Sequence, residues 1–207
     1  QEKLELSIEE YTKGLLIESH PIVLENRADV YLELEDYEKA LADYTSAIDL
    51  DKDNPEGYDN RAECYIAMEK YTDALKDLDK AIELATENPY YYNQRADFYG
   101  DQEKYDEALK DYATAIEIST DDFQSMRAIT NRANIYWEQE KLELSIEEYT
   151  KGLLIESHPI VLENRADVYL ELEDYEKALA DYTSAIDLDK DNPEGYDNRA
   201  ECYIAME

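Results

Sequence analysis

Residues 1–69 are identical, letter for letter, to residues 139–207. The same stretch therefore serves twice in one chain, 138 residues apart. A chain built this way folds as a row of like units, not as one globule around one centre. A shorter period, near 34 residues, runs inside the long one. Its anchor is an Asn/Gln-Arg-Ala triplet. It stands at Asn26-Arg27-Ala28, Asn60-Arg61-Ala62, Gln94-Arg95-Ala96, Asn131-Arg132-Ala133, Asn164-Arg165-Ala166 and Asn198-Arg199-Ala200.

The columns after the triplet alternate large and small. Four residues past each Arg is a Tyr: Tyr31, Tyr65, Tyr99, Tyr136, Tyr169 and Tyr203. Ten past it come Tyr37, Tyr71, Tyr105, Leu142 and Tyr175. Small residues follow at Ala40, Ala74, Ala108, Ser145 and Ala178, then large ones at Tyr44, Leu78, Tyr112, Tyr149 and Tyr182. Ala47, Ala81, Ala115, Gly152 and Ala185 close the pattern. At helical spacing, small residues let two helices approach and large ones fill the grooves between them. One such unit cannot bury its apolar stripe alone, so neighbours must cover it.

This pattern resembles the tetratricopeptide repeat over the whole chain. The resemblance implies an all-α fold, a right-handed superhelical solenoid of antiparallel helix pairs. Two features depart from the family pattern: Arg stands where Leu is common, and Pro opens the repeat instead of lying near its end. All five prolines, Pro21, Pro55, Pro89, Pro159 and Pro193, share one register. That register is the first turn of the first helix, where the missing N–H costs nothing. Asn54, Asn88 and Asn192 precede three of them as N-caps.

The expected layout is a single solenoid segment over 1–207. Residues 1–20 form the second helix of a partial repeat. Repeats span 21–54, 55–88, 89–125, 126–158 and 159–192, and 193–207 form the first helix of a partial repeat. Three extra residues fall in the Asp121–Ser125 region of the long repeat. Both terminal helices keep core residues, Leu4, Ile8, Tyr11 and Leu15 at one end and Tyr203 and Ile204 at the other. This points to a segment of a longer array, or to ends that stack on neighbouring copies. The identity of the two stretches fits a recent duplication, an engineered concatemer or a periodic fibre equally well.

An Arg aimed into a helix interface needs a carboxylate, because an unpaired buried charge is costly. Sixteen residues on there is always one. The expected structural pairs are Arg27 with Asp43, Arg61 with Asp77, Arg95 with Asp111, Arg132 with Glu148 and Arg165 with Asp181. Their expected role is to fix stacking register.

The family binds extended peptides on a concave face lined by its first helices. By register that face carries Glu25, Asp29, Glu33, Glu56, Asp59, Glu63, Asp97 and Asp101, with Arg127 as a basic exception. Relatives that clamp a terminal carboxylate use Lys, Arg and Asn there. Asn26, Asn60 and Asn131 match the Asn, but acids replace the cations. A basic peptide is therefore the expected partner. Tyr90 and Trp137 are expected to face outward, able to stack on a ligand, with Tyr92 in the core.

Charge supports that choice of partner. The chain has 53 acidic and 20 basic side chains, a formal net charge of −33. Such a surface repels nucleic acid and anionic lipid and attracts basic proteins and divalent cations. Loose calcium binding is expected at most: Asp49-Leu50-Asp51-Lys52-Asp53 begins like a calcium loop, but Asn54 takes the place of the required Gly. No apolar run reaches the length of a membrane span. A soluble protein or a surface-exposed fibre is expected.

Catalysis finds little support. His20 and His158 are one repeat position seen twice, as are Cys64 and Cys202. No nucleophile has a patterned base, and no glycine loop for phosphate appears. No enzyme activity, cofactor or metal centre is expected. Two function classes remain: a protein-interaction scaffold with an acidic groove, and a fibre in which copies of the chain stack end to end.

Overall fold

The computed structural model describes residues 2–206. These form helices and short turns. In chain order the helices are α1 (Glu2–Ile17), α2 (Pro21–Glu33), α3 (Tyr37–Leu50), α4 (Pro55–Ala67), α5 (Tyr71–Leu84) and α6 (Pro89–Asp101). They continue as α7 (Tyr105–Ile118), α8 (Asp122–Glu138), α9 (Leu142–Ile155), α10 (Pro159–Glu171), α11 (Tyr175–Leu188) and α12 (Pro193–Ala205). Even-numbered helices carry the Arg triplet and odd-numbered helices carry its carboxylate. The chain divides into two compact units, one running to Arg95 and one beginning at Ala96.

Each unit is a stack of antiparallel helix pairs. In the first, α2 packs on α3 and α4 on α5, while α1 meets α2 and α3 meets α4. In the second, α8 packs on α9 and α10 on α11, with α7 against α8, α9 against α10 and α11 against α12. Local chemistry sets the starts. Proline occupies the first turn of α2, α4, α10 and α12. Asn54 Oδ1 accepts from the Glu56 N–H at 3.2 Å, Asn88 from Tyr90 at 3.0 Å and Asn192 from Glu194 at 3.0 Å.

The three extra residues do not form a loop. They lengthen α8 to 17 residues, and Asp121 Oδ1 caps it by accepting from the Phe123 N–H at 3.0 Å. Asp, Phe, Gln and Ser at this point can extend a helix by a turn, and an Asp before them can start one.

The turn inside each pair is closed the same way every time. Glu35, Glu69, Glu103, Glu140 and Glu173 all have φ between 56° and 59°. After α2 the Asp36 N–H reaches back to Tyr31 O at 2.8 Å and the Glu35 N–H to Leu32 O at 2.9 Å. That is the double bond pattern of a helix stop with a left-handed residue just past the cap. Glycine is the usual choice there; this chain uses glutamate, at a backbone cost.

The core follows the columns. Ala28, Ala40, Ala74, Ala108, Ala133, Ala166 and Ala178 are fully buried, and Tyr44, Tyr149 and Tyr182 fill the grooves beside them. Ala28, Ala40 and Tyr44 pack with Cys64 from the next first helix, and Leu32 closes the cluster. The second unit repeats this with Ala166, Ala178, Tyr182 and Cys202, closed by Leu170. Each pair thus borrows its last core residue from its successor.

Candidate binding face on the first helices

The arginines lock three helices at once. Arg27 donates from Nε to Asp43 Oδ2 at 2.6 Å and from Nη2 to Asp43 Oδ1 at 2.8 Å. Its remaining nitrogen, Nη1, reaches Thr12 Oγ1 on α1 at 2.9 Å. Arg61 repeats the fork on Asp77 at 2.7 and 2.8 Å and reaches Thr45 at 3.3 Å. Arg165 does so on Asp181 at 2.7 and 2.9 Å and on Thr150 at 2.8 Å. Arg132 holds Glu148 through Nε at 2.9 Å and through Nη2. Such two-pronged charged bonds are strong and directional. Arg27, Arg61, Arg132 and Arg165 thus meet the carboxylate sixteen residues on. The threonines on the preceding helix are missed, although Thr12, Thr45 and Thr150 also recur in register. Asp79 stands at the place of Thr45, and Arg95 donates to it at 2.6 Å. Asp111, the partner expected for Arg95, lies in the other unit.

On the first-helix face, the acids divide into two classes. One is tied down by tyrosine hydroxyls from the second helices. Tyr44 donates to Asp29 at 2.6 Å, and Tyr182 to Asp167 at 2.5 Å. Tyr112 donates to Asp97, which also accepts from Asn131 Nδ2 at 2.8 Å and from Arg127 Nη2. Tyr149 donates to Asn134. Burial pushes the hydroxyl pKa of Tyr44, Tyr112, Tyr149 and Tyr182 far up, so they remain donors. Asp59 is buried and accepts from Tyr90 at 3.0 Å.

The other class lies open. Glu33, Glu56, Glu63 and Asp101 are exposed. Glu25 is half-buried; its Oε1 accepts from Asn54 Nδ2 at 3.3 Å. Burial raises the Glu25 carboxyl above the ordinary range, and the charges of Glu56, Asp29 and Asp51 raise it further. Glu163, its counterpart 138 residues on, is raised by burial and by Asp167, Glu194 and Asp189. The acids of this face crowd one another, and a cation would relieve them.

The aromatics sit differently from expectation. Tyr90 is pinned by its bond to Asp59 and meets Tyr91 edge to face at 5.1 Å. Tyr91 is the fully buried member of the run, and Tyr90 and Tyr92 pack half-buried against its cluster with Ala81 and Ile82. Burial raises the Tyr91 hydroxyl pKa to about 12. Three consecutive tyrosines on a helix start leave the choice to the neighbouring helix, which the spacing alone does not reveal. Trp137 packs against the cluster of Ala133, Tyr149, Val161 and Val168, and its indole N–H donates to Glu171 Oε2 at 2.6 Å.

Reactive groups are placed for packing. Cys64 is buried, its thiol pKa raised by that burial, and it donates to Tyr37 O at 3.4 Å. Among the described residues no group of three or more His, Cys, Asp or Glu is placed to hold a metal ion. No helix among them is long and apolar enough to cross a membrane.

Comparison with known proteins agrees with this geometry. Family descriptions of the TPR repeat match residues 28–69 and 166–206. Those of the tetratricopeptide repeat match 55–88, 89–122 and 127–158. A sequence search of curated proteins finds no match. Among solved structures, yeast Tom70 superposes with a TM-score of 0.78 at 20% identity, over 96% of this chain and 42% of that one. A tetratricopeptide repeat protein from Parabacteroides merdae gives 0.68 at 24% identity, over 98% and 79%. YrrB, described as a TPR protein with an unusual peptide-binding site, gives 0.61 at 21% identity, over 92% and 97%. This chain spans less than half of the Tom70 chain, and at these identities what is shared is the fold. With the repeats matched along the sequence and the helix pairs stacked in register, the chain belongs to the tetratricopeptide repeat family.

Proposed function

We propose that this chain is a non-enzymatic interaction scaffold, a segment of a long array whose first helices present an acidic face to a basic protein partner. The observation that carries the reading is the division of the acids. Asp29, Asp59 and Asp97 are held by tyrosine hydroxyls and serve the fold. Glu33, Glu56, Glu63 and Asp101 project without that duty. Glu25 pays a burial and repulsion cost that a bound cation would offset. Each unit presents such a face by itself: in the first it comes from the first helices of repeats 21–54 and 55–88, in the second from those of repeats 126–158 and 159–192. In this reading the arginine–carboxylate pairs set stacking register. Loose divalent-cation binding would be a competitor for the same carboxylates. YrrB, with its peptide-binding site, is a precedent in the same fold.

Binding of a fluorescent oligolysine peptide, followed by anisotropy over a salt series, tests the reading. Affinity should fall steeply between low and physiological salt, because exposed charges are screened. Saturable binding that ignores salt would count against it, as would no binding at all.

A fibre is the second reading, compatible with the identity of residues 1–69 and 139–207. Equal surfaces 138 residues apart suit copies that propagate end to end. Negative-stain images of concentrated protein should then show filaments; discrete particles at every concentration would retire it.

A further inference from the structure

One column of the repeat is broken at a single place. Five residues past the triplet Arg stand Leu32, Ile66, Gly100, Trp137, Leu170 and Ile204. Leu32, Trp137 and Leu170 each close the cluster formed by their own helix pair and the next first helix. Gly100 leaves that place empty. A Cβ there would meet only Ile135 Cδ1, at an ordinary 3.8 Å. The backbone is helical and no neighbour crowds the site, so packing does not require the glycine. Glycine inside a helix is costly relative to alanine, and here it lines a cleft of about 460 Å³. Ile135 lies at its apolar side, and Tyr105, Tyr112, Asp101, Glu103 and Glu138 supply most of the rest.

We propose that the Gly100 cleft takes an arginine side chain from an extended basic peptide. The idea rests on the reading of the first-helix face as a site for a basic partner, and names where one anchor of that partner goes. Three points favour arginine. The carboxylates approach from the end of α6, the following turn and the end of α8, and a guanidinium carries five donors spread in a plane. Tyr105, half-buried at the rim, can stack on a flat cation. The aliphatic stem suits Ile135. The nearby cation, Arg127, is engaged with Asp97, which also accepts from Tyr112 and Asn131, so that cluster serves the fold. Asp101, exposed at its tip, is held above the ordinary carboxylate range by partial desolvation against the cleft wall and by the charge of Asp97.

The test uses three fluorescent peptides, identical and uncharged apart from one position, which carries arginine, lysine or citrulline. By anisotropy the chain should bind the arginine peptide about tenfold more tightly than the citrulline peptide, with lysine between. Gly100→Leu supplies the side chain that Leu32 and Leu170 place in this column and should erase that preference while the helical spectrum and melting transition persist. Asp101→Asn combined with Glu138→Gln leaves the backbone alone and should erase it too, whether or not the leucine variant folds. A preference kept by the double variant or by a folded Gly100→Leu chain overturns the proposal, and so does equal or absent binding of all three peptides. Oligolysine separates this from the broader reading. If oligolysine binding stays salt-sensitive while the arginine preference is missing, the cleft assignment falls and the acidic face stands. If oligolysine also fails, both fall.

Discussion

Helices α1 and α9 contain the same fourteen residues, Leu4–Ile17 and Leu142–Ile155, yet they are different objects. No residue of α1 is buried. In α9, Ser145, Glu148, Tyr149 and Gly152 are all buried. The difference is the company: α9 lies between α8 and α10, whereas α1 packs on α2. Charge follows burial. Glu148 is forked by Arg132, while its twin Glu10 makes an exposed pair with Lys13 at 2.6 Å. The mirror case is α4 against α12. Arg61 grips Asp77 on α5, whereas Arg199 donates to Thr183 at 3.2 Å in an exposed setting. Propensity and pattern are equal in each couple, so they cannot be the source of the difference. Stability resides in the interfaces between successive pairs.

The largest expected effect comes from the buried tyrosine. Tyr149→Ala should cost about 3–5 kcal/mol by denaturant unfolding. Tyr11→Ala, the same letter in the same local sequence, should cost far less; equal losses would break the comparison. Next is the ion pair. Removing the carboxylate in Asp77→Ala leaves a largely buried guanidinium and should cost about 3 kcal/mol. Glu10→Ala should change nothing measurable.

Much of this was legible from the columns. The triplet spacing gave the carboxylates of Arg27, Arg61, Arg132 and Arg165, the prolines marked helix starts, and the small residues marked close approaches. The rest depended on neighbours. The tyrosine bonds to Asp29, Asp97 and Asp167 join residues fifteen apart on different helices, a spacing that says nothing until the helices are packed. That Tyr91 is buried deepest, with Tyr90 and Tyr92 packed beside it, likewise depends on the helix they pack against. Gly100 was readable as a gap in its column, but its meaning required seeing that Leu32, Trp137 and Leu170 plug the equivalent place.

A smaller effect sharpens the contrast by being local. Glu35→Gly and Glu173→Gly relieve left-handed glutamates, offset in part by the freedom glycine adds to the unfolded chain. Each should gain about 0.5 kcal/mol, and the two gains should match, since both turns carry their own bonds. Unequal gains would mean that neighbours govern even the turns.

Smallest is the response to pH. Glu25 and Glu163 hold their protons more tightly folded than unfolded, because burial and nearby acids raise both. Stability contributed here therefore falls as pH rises through the raised values, and recovers as pH drops toward the ordinary glutamate range. Glu25→Gln should raise Tm by about 1–2 °C at neutral pH, with the gain shrinking on acidification. A gain that grows on acidification would reverse the assigned sign.

The most direct test is amide hydrogen exchange by NMR on two segmentally labelled samples, one with residues 4–17 visible and one with 142–155. If neighbouring pairs supply the protection, amides of α9 will exchange about a hundredfold or more slowly than their twins in α1. Matching rates, position by position, would show that each helix stabilises itself and would contradict the account.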